Sequence, residues 1–217
     1  EVQVSDQFSA TIRYAQSRTT LSGMNPADYP ELAQVSGGST LQMPQNTLRD
    51  MIQKTCFSIA TDETRPILTG CLLEIDEKEV RIVALDGFRL AMRRVAPEQG
   101  LSPTQAVIPG KVLSELPKLL GDADTPAPLQ IGETHLSADM GNTRVVARML
   151  EGEFIRYQQI LPSDWQTRIR VRREDLDHAI DRASLIAREG KNNLVKFHVE
   201  GHTLTLTSNA ELGEVFE

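Results

Sequence analysis

Asp86 is the residue most open to a catalytic reading, in the run Leu85-Asp86-Gly87-Phe88-Arg89-Leu90-Ala91. A carboxylate acts as general acid or base when a second carboxylate, a histidine or a nucleophile stands within reach of the same reacting atom. No such partner lies nearby in the sequence. Asp-Gly between two apolar runs is first of all a tight-turn signal, because glycine accepts positive φ at no steric cost. His198 and His202 flank a turn and could ligate a metal, but no Cys/His cluster of zinc type accompanies them, so they read as surface histidines. Cys56 on a predicted helix and Cys71 on a predicted strand lack CxxC spacing and sit beside apolar residues. They read as buried, reduced thiols and favour a cytoplasmic protein. There is no phosphate-binding glycine loop and no nucleophile elbow. The residues point to binding or scaffolding, with no enzyme activity, no cofactor and no metal.

The elements that must carry these residues recur. A strand that runs into a helix start appears three times: Leu41-Gln42-Met43-Pro44 leads to Leu48, Ala106-Val107-Ile108-Pro109 to Leu113, and Ile169-Arg170-Val171-Arg172 to Leu176. From Met43 to Ile108 is 65 residues and from Ile108 to Val171 is 63, so one supersecondary unit is used repeatedly. After each helix start, alternating apolar residues predict a meander of strands with short turns. The strands fall at Leu73–Ile75 and Val80–Ala84, then at Leu129–Ile131, His135–Ala138 and Arg144–Leu150, then at Lys196–Val199 and Thr203–Thr207. Glu1–Val4, Phe8–Tyr14 and Arg18–Leu21 predict the same meander without its helix. The fold class is α+β, built from repeated strand-helix-meander units. The chain is expected to be a piece of a longer protein that opens and closes partway through a unit.

At 217 residues and 40% hydrophobic, the chain has enough apolar mass for a core, and no apolar run approaches the ~20 residues of a membrane span. A net charge of -7 argues against non-specific adhesion to nucleic acid, since repulsion from phosphate opposes it. The predicted helices are less acidic than the whole. Leu48, Met51, Ile52 and Thr55 share one face of the first, leaving Asp50, Gln53 and Lys54 outward and Arg49 at the flank. On the second, Val112, Leu113, Leu116 and Leu120 face inward, which puts Lys111 and Lys118 on the solvent side. Pro117 should kink or shorten that helix. The third presents Asp177, His178, Asp181 and Arg182, a mixed surface. By charge alone, these are ordinary solvated faces.

Three stretches carry a resemblance to a known family. They are Asp62-Glu63-Thr64-Arg65-Pro66-Ile67-Leu68-Thr69-Gly70, the run from Leu85 to Ala91, and Glu153-Phe154-Ile155-Arg156-Tyr157-Gln158-Gln159-Ile160-Leu161-Pro162. In order and spacing they resemble the bacterial DNA polymerase III beta subunits, the sliding clamps, and Asn25 to Leu32 resembles the segment that closes the family's first domain. The resemblance implies a DNA-clamp fold with residues 1–36 as the tail of a first domain, 38–162 as the whole middle domain and 165–217 as the first half of a third. It implies a processivity factor of the replicative polymerase. Two chains close head to tail around duplex DNA, with helices lining the hole, and the loose phosphate contacts let the ring slide. The implied partners are duplex DNA, a clamp loader, a second copy in the full-length parent, and polymerases and repair proteins, in a cytoplasmic, nucleoid-associated setting. This chain by itself is not expected to close the ring.

Carried over position by position, the resemblance implies DNA contacts from Arg49, Lys54, Arg65, Lys111 and Lys118. It implies a hydrophobic cleft for Gln- and Leu/Phe-containing peptides at Leu68, Leu85, Gly87, Phe88, Arg89, Leu90, Ile155, Gln159 and Ile160. Apolar walls would bury the peptide's anchors, Gly87 would permit close backbone approach, and Arg89 would offer a planar donor at the rim. Leu85, Phe88, Ile155 and Gln159 stand where a common family version has Thr, His, Pro and Arg, which implies a more apolar and less basic cleft. Asp62, Pro66, Ile67 and Gly110 are further departures, on the DNA side. From the residues alone, Leu68, Leu90 and Ile160 are equally well read as core. A clamp-fold adaptor that binds peptides without encircling DNA is the alternative function.

Overall fold

The structure, a computed structural model, describes residues 1–97, 102–121, 124–190 and 193–217. It divides into two compact units, Glu1–Ile155 and Arg156–Glu217. The first unit opens with an antiparallel meander of β1 (Val2–Val4), β2 (Ser9–Tyr14) and β3 (Ser17–Ser22). β4 (Ser39–Pro44) then runs directly into α1 (Gln45–Gln53), followed by β5 (Gly70–Ile75), β6 (Val80–Leu85) and β7 (Leu90–Val95). The pattern repeats: β8 (Thr104–Pro109) runs into α2 (Gly110–Leu119), followed by β9 (Pro126–Ile131), β10 (His135–Asp139) and β11 (Arg144–Arg148).

Pro44 and Pro109 mark both strand-to-helix junctions, at φ -56 ψ 139 and φ -55 ψ 138. A proline lacks the N–H that would continue a ladder, and its fixed φ suits the residue at which a helix begins. In α2 a second proline, Pro117, lies in the last turn, and the helix ends two residues later at Leu119, with the Leu120 N–H donating to the Leu116 carbonyl at 3.2 Å. The helix thus runs two residues past the proline and, at 10 residues, is no shorter than the 9-residue α1.

The pairing of the two repeats is an exchange. β4 pairs antiparallel with β9, from Ser39 opposite Ile131 to Pro44 opposite Pro126. β8 pairs antiparallel with β5, from Gly70 opposite Pro109 to Ile75 opposite Thr104. Each leading strand thus leaves its own meander and closes the sheet of the other repeat, giving two four-stranded sheets in the orders β7-β6-β5-β8 and β11-β10-β9-β4. One core holds both. Leu48, Met51 and Ile52 of α1 and Leu113 and Leu116 of α2 bury against Leu73, Ile82, Leu129 and Leu136 of the sheets. Each such side chain is worth about 1.5–3 kcal/mol when fully removed from water. The helical faces expected from the apolar spacing are those observed, with Thr55 buried among them and Val112 half-buried.

The β5–β6 sheet buries its second face as well. Leu72, Val83, Leu85 and Val107 alternate with the core residues and so point away from the helices, yet all four are buried. The chain after β11 crosses that side: the Leu150 N–H donates to the Val107 carbonyl at 2.8 Å. Gly70 permits this crossing, since a Cβ there would meet the Ile108 carbonyl oxygen and lie 2.9 Å from Leu150 Cδ1.

In the second unit, α3 (Arg173–Ala187) packs on a meander of β12 (Lys196–Glu200), β13 (Thr203–Ala210) and β14 (Gly213–Phe216). Ala183, Ala187 and Leu206 are buried there, and Ser208 Oγ donates to the Ala183 carbonyl at 2.7 Å. The strand expected over Ile169–Arg172 is absent, and Ile169 and Val171 are 43% and 44% exposed. The exchange explains this correction. A leading strand forms only against the meander of a second repeat, and residues 173–217 contain a single repeat.

Candidate functional site

The β6–β7 hairpin carries five of the predicted cleft residues. Leu85 and Leu90 face each other across its last ladder position, on the side of the sheet away from the helices. Leu85 is buried and Leu90 half-buried. Between them Asp86 closes the turn with both oxygens: Oδ1 accepts from the Phe88 and Arg89 N–H groups at 3.0 Å each, and Oδ2 accepts from Arg89 Nε at 2.9 Å. Those backbone donors, followed by the Arg89 side chain, hold the Asp86 carboxyl below the usual carboxylate range. Asp86 is a turn builder, as its Asp-Gly context suggested. Asp76 does the same at the other end of β6, accepting from the Lys78 and Glu79 N–H groups.

Gly87 has φ +94, and no atom lies within 4 Å of where its Cβ would be. Its requirement is conformational. The expected close backbone approach is therefore not what this fold itself asks of it. The turn leaves Phe88 wholly exposed. Leu68 is buried at the end of the 3-10 turn Pro66–Thr69, just before β5, and Ile155 is half-buried at the end of the first unit. Gln159 and Ile160 are exposed and belong to the second unit, in and just after the 3-10 turn Tyr157–Gln159.

One neighbour of this hairpin escaped the sequence reading. Phe57, in the 3-10 turn Cys56–Ser58 after α1, has its ring centroid 5.9 Å from the Arg89 guanidinium carbon and is 59% exposed. An aromatic residue inside a short irregular segment has no periodic pattern to mark it. Beside it, Cys56 and Cys71 are free, with sulfurs 3.6 Å apart. The Cys56 sulfur and burial together push the Cys71 thiol up.

The predicted DNA-contacting residues of the helices lie on the layer formed by α1 and α2, which pack side by side. Arg49 reaches across it, its Nε donating to the Pro117 carbonyl at 3.2 Å. Lys54 Nζ pairs with Asp50 at 2.6 Å, and Asp50 also accepts from Arg93 Nε at 3.0 Å. Those two cations, Lys54 first, hold the Asp50 carboxyl low against a weaker opposing effect of burial. Lys118 Nζ pairs with Glu115 at 2.7 Å, and Lys111 is exposed at the start of α2. Arg65 is exposed in the loop before the Pro66–Thr69 turn. Gly110 opens α2 with its Cβ position 2.8 Å from the Thr69 carbonyl oxygen, so a basic side chain there would have to displace that loop. Among the described residues, no three His, Cys, Asp or Glu side chains gather as a metal site, and no helix is long and apolar enough to cross a membrane.

Residues 42–155 match the family described as DNA polymerase III beta subunit, central domain, and residues 158–217 match its C-terminal domain. The chain belongs to the DNA polymerase III beta subunit family. The beta sliding clamps of Staphylococcus epidermidis and Staphylococcus aureus are each 34% identical to it over 218 aligned positions, covering all of this chain and 58% of the relative. The crystal structure of the Bacillus subtilis DNA polymerase sliding clamp superposes with a TM-score of 0.92 at 35% identity, over all of this chain and 58% of that one. The beta subunit of Streptococcus pyogenes DNA polymerase gives 0.90 at 26% identity. The α+β architecture of exchanged repeats is thus the sliding-clamp fold, and the chain spans 58% of the length of the clamps it matches.

Proposed function

We propose that this chain is the central part of a non-catalytic DNA sliding clamp. In this reading residues 1–36 end a first domain, 38–162 form the middle domain and 165–217 begin a third. The parent encircles duplex DNA as a ring of two copies opened by a clamp loader. The α1–α2 layer faces the DNA, with Lys111, Lys118, Arg49, Lys54 and Arg65 supplying loose phosphate contacts. The β6–β7 hairpin, with Leu68 and Ile155 of the first unit, forms a docking site for peptides with Gln and Leu/Phe anchors.

The observation that carries this reading is the hairpin itself. Leu85 and Leu90 form an apolar pair on the sheet face turned away from the helices, and the turn beyond them holds Phe88 and Arg89 out to solvent. A pairing of apolar floor and guanidinium rim suits an extended peptide that buries two or three anchors. A specific observation supports the adaptor alternative: Lys54 and Lys118 already hold carboxylates, which reduces the positive field on the helical layer.

The test is fluorescence anisotropy of a labelled peptide with Gln and Leu/Phe anchors, titrated with wild type, Arg89→Ala and Leu90→Ala. Truncation of central anchor residues typically costs 2 kcal/mol or more, so binding weakened by at least roughly thirty-fold in both variants is expected. Absence of saturable binding by folded wild type would overturn the peptide-docking reading.

A further inference from the structure

Arg89 is held by two partners, Asp86 and Phe57. Its backbone N–H and its Nε both go to the carboxylate of Asp86, at 3.0 and 2.9 Å, and its guanidinium lies 5.9 Å from the Phe57 ring centroid. Its Nη1 and Nη2 donors make no hydrogen bond or ion pair among the described residues. A long side chain that is more than half exposed usually samples many rotamers, and fixing it on binding costs conformational entropy. Here a carboxylate on one edge and an aromatic ring on one face restrict it beforehand, and the outer edge of the fork is left open.

Phe57 has no evident reason of its own to be where it is. Ser58 next to it is buried and Cys56 is half-buried, whereas Phe57 leaves most of its surface in water. Its energetic return is the guanidinium beside it.

We propose that Phe57 is a positioning residue of the peptide site. It acts through Arg89, pre-orienting the guanidinium so that Nη1 and Nη2 meet oxygen acceptors, main-chain carbonyl or carboxylate, on the docked peptide. The inference rests on the peptide-docking reading above. It assigns part of the site's affinity to an element, the turn after α1, that is separated from the hairpin by one strand, β5.

The test is a double-mutant cycle on the 217-residue chain, read by calorimetric titration with the Gln- and Leu/Phe-containing peptide. The variants are Phe57→Leu, Phe57→Trp, Arg89→Ala, and Phe57→Leu with Arg89→Ala. Leu keeps the apolar bulk and removes the ring, and thermal unfolding of each variant checks that it folds. An exposed cation–π contact is worth about 0.5–1 kcal/mol, so Phe57→Leu is expected to weaken binding about two- to five-fold in the wild-type background. In the Arg89→Ala background it should have no effect, and Phe57→Trp should bind at least as well as wild type. A purely structural role for Phe57 would give the same loss in both backgrounds, and that result overturns the inference. So does unchanged binding by Phe57→Leu while Arg89→Ala is weakened, which leaves the docking site intact. Full binding by Arg89→Ala would instead remove the reading on which the inference stands.

Discussion

Ser39 and Thr104 are joined by a hydrogen bond of 2.6 Å between their hydroxyl oxygens, and they are 65 residues apart, which is the spacing of the first two repeats. Each is the first residue of its leading strand, so equivalent positions of the two repeats touch. Thr104 Oγ1 also donates to the Ser102 carbonyl at 3.2 Å, which makes Ser39 the donor of the shared bond. The contact closes the two exchanged sheets at a local two-fold relationship. Thr104→Val keeps the shape and removes the acceptor, so the half-buried Ser39 hydroxyl loses its partner. The urea midpoint should fall by an amount equivalent to about 0.5–1.5 kcal/mol. An unchanged midpoint would mean that the bond is replaced by water at no cost.

The same exchange predicts unequal protection of leading strands. Alternate amides of residues 104–108 are locked in a ladder with β5, whereas Ile169 to Arg172 pair with no strand among the described residues. Hydrogen exchange followed by mass spectrometry should find the laddered amides of 104–108 protected to near the global unfolding free energy and 169–172 exchanging at close to the rate of an open chain. Protection over 169–172 would show that another strand, from this chain or a second copy, has been recruited.

Much of this architecture was legible in advance, and the part that was not has one cause. Helical faces at Leu48, Met51 and Ile52 and at Leu113 and Leu116 follow from local spacing, and so do the turns at Asp76 and Asp86. Local pattern also marked Ile169 and Val171 as a strand, since their alternation is as good as that of Leu41 and Met43. Strand pairing, however, is non-local. Whether alternation becomes a ladder depends on a partner that, for β4, lies beyond residue 125. At the site, Leu85 and Leu90 were legible as apolar positions beside a turn. Phe57 was not, because its meaning comes from a guanidinium on another element.

Cys56 and Cys71 should differ sharply in reactivity. Cys71 is fully buried and its thiol is pushed up by the neighbouring Cys56 sulfur and by burial, whereas Cys56 is half-buried and its thiol is lowered by the bond from Cys71. Only the thiolate attacks an alkylating reagent. Iodoacetamide at mildly alkaline pH should therefore label native protein once, at Cys56, with Cys71 labelled only in denaturant. Peptide mapping that finds both labelled in the native state would show that this part of the core opens readily.

Asp86 is expected to give the proposed peptide site its pH dependence. Its carboxyl is lowered by the Phe88 and Arg89 N–H groups and by the Arg89 side chain, so the folded value lies below the unfolded one, about 3.9. A lowered carboxylate contributes stability that is fully present above the unfolded value and is lost as pH falls through the folded value. Peptide affinity should consequently be flat from neutral pH to about 5 and drop only below about 4. Asp86→Asn, which cannot accept from Arg89 with both oxygens, should bind more weakly at every pH. A midpoint near neutrality would assign the dependence to another group.

The cations of the α1–α2 layer are not equivalent, and this ranks them as DNA contacts. Arg49 Nε is committed to the Pro117 carbonyl, and Lys54 to Asp50. Lys118 holds Glu115 in a pair exposed on both sides, and such pairs are worth about 0–1 kcal/mol, so a phosphate can displace the carboxylate. Lys111 has no side-chain partner among the described residues. Lys111→Glu with Lys118→Glu, placed in a parent of the relatives' full length, should shorten retention on nicked circular DNA and reduce the salt slope by about 1 for each lysine lost. Peptide binding, which is proposed for the opposite face of the sheet, should not change. Retention equal to that of the parent would take both lysines off the DNA face and leave the peptide-binding adaptor as the better account of the chain.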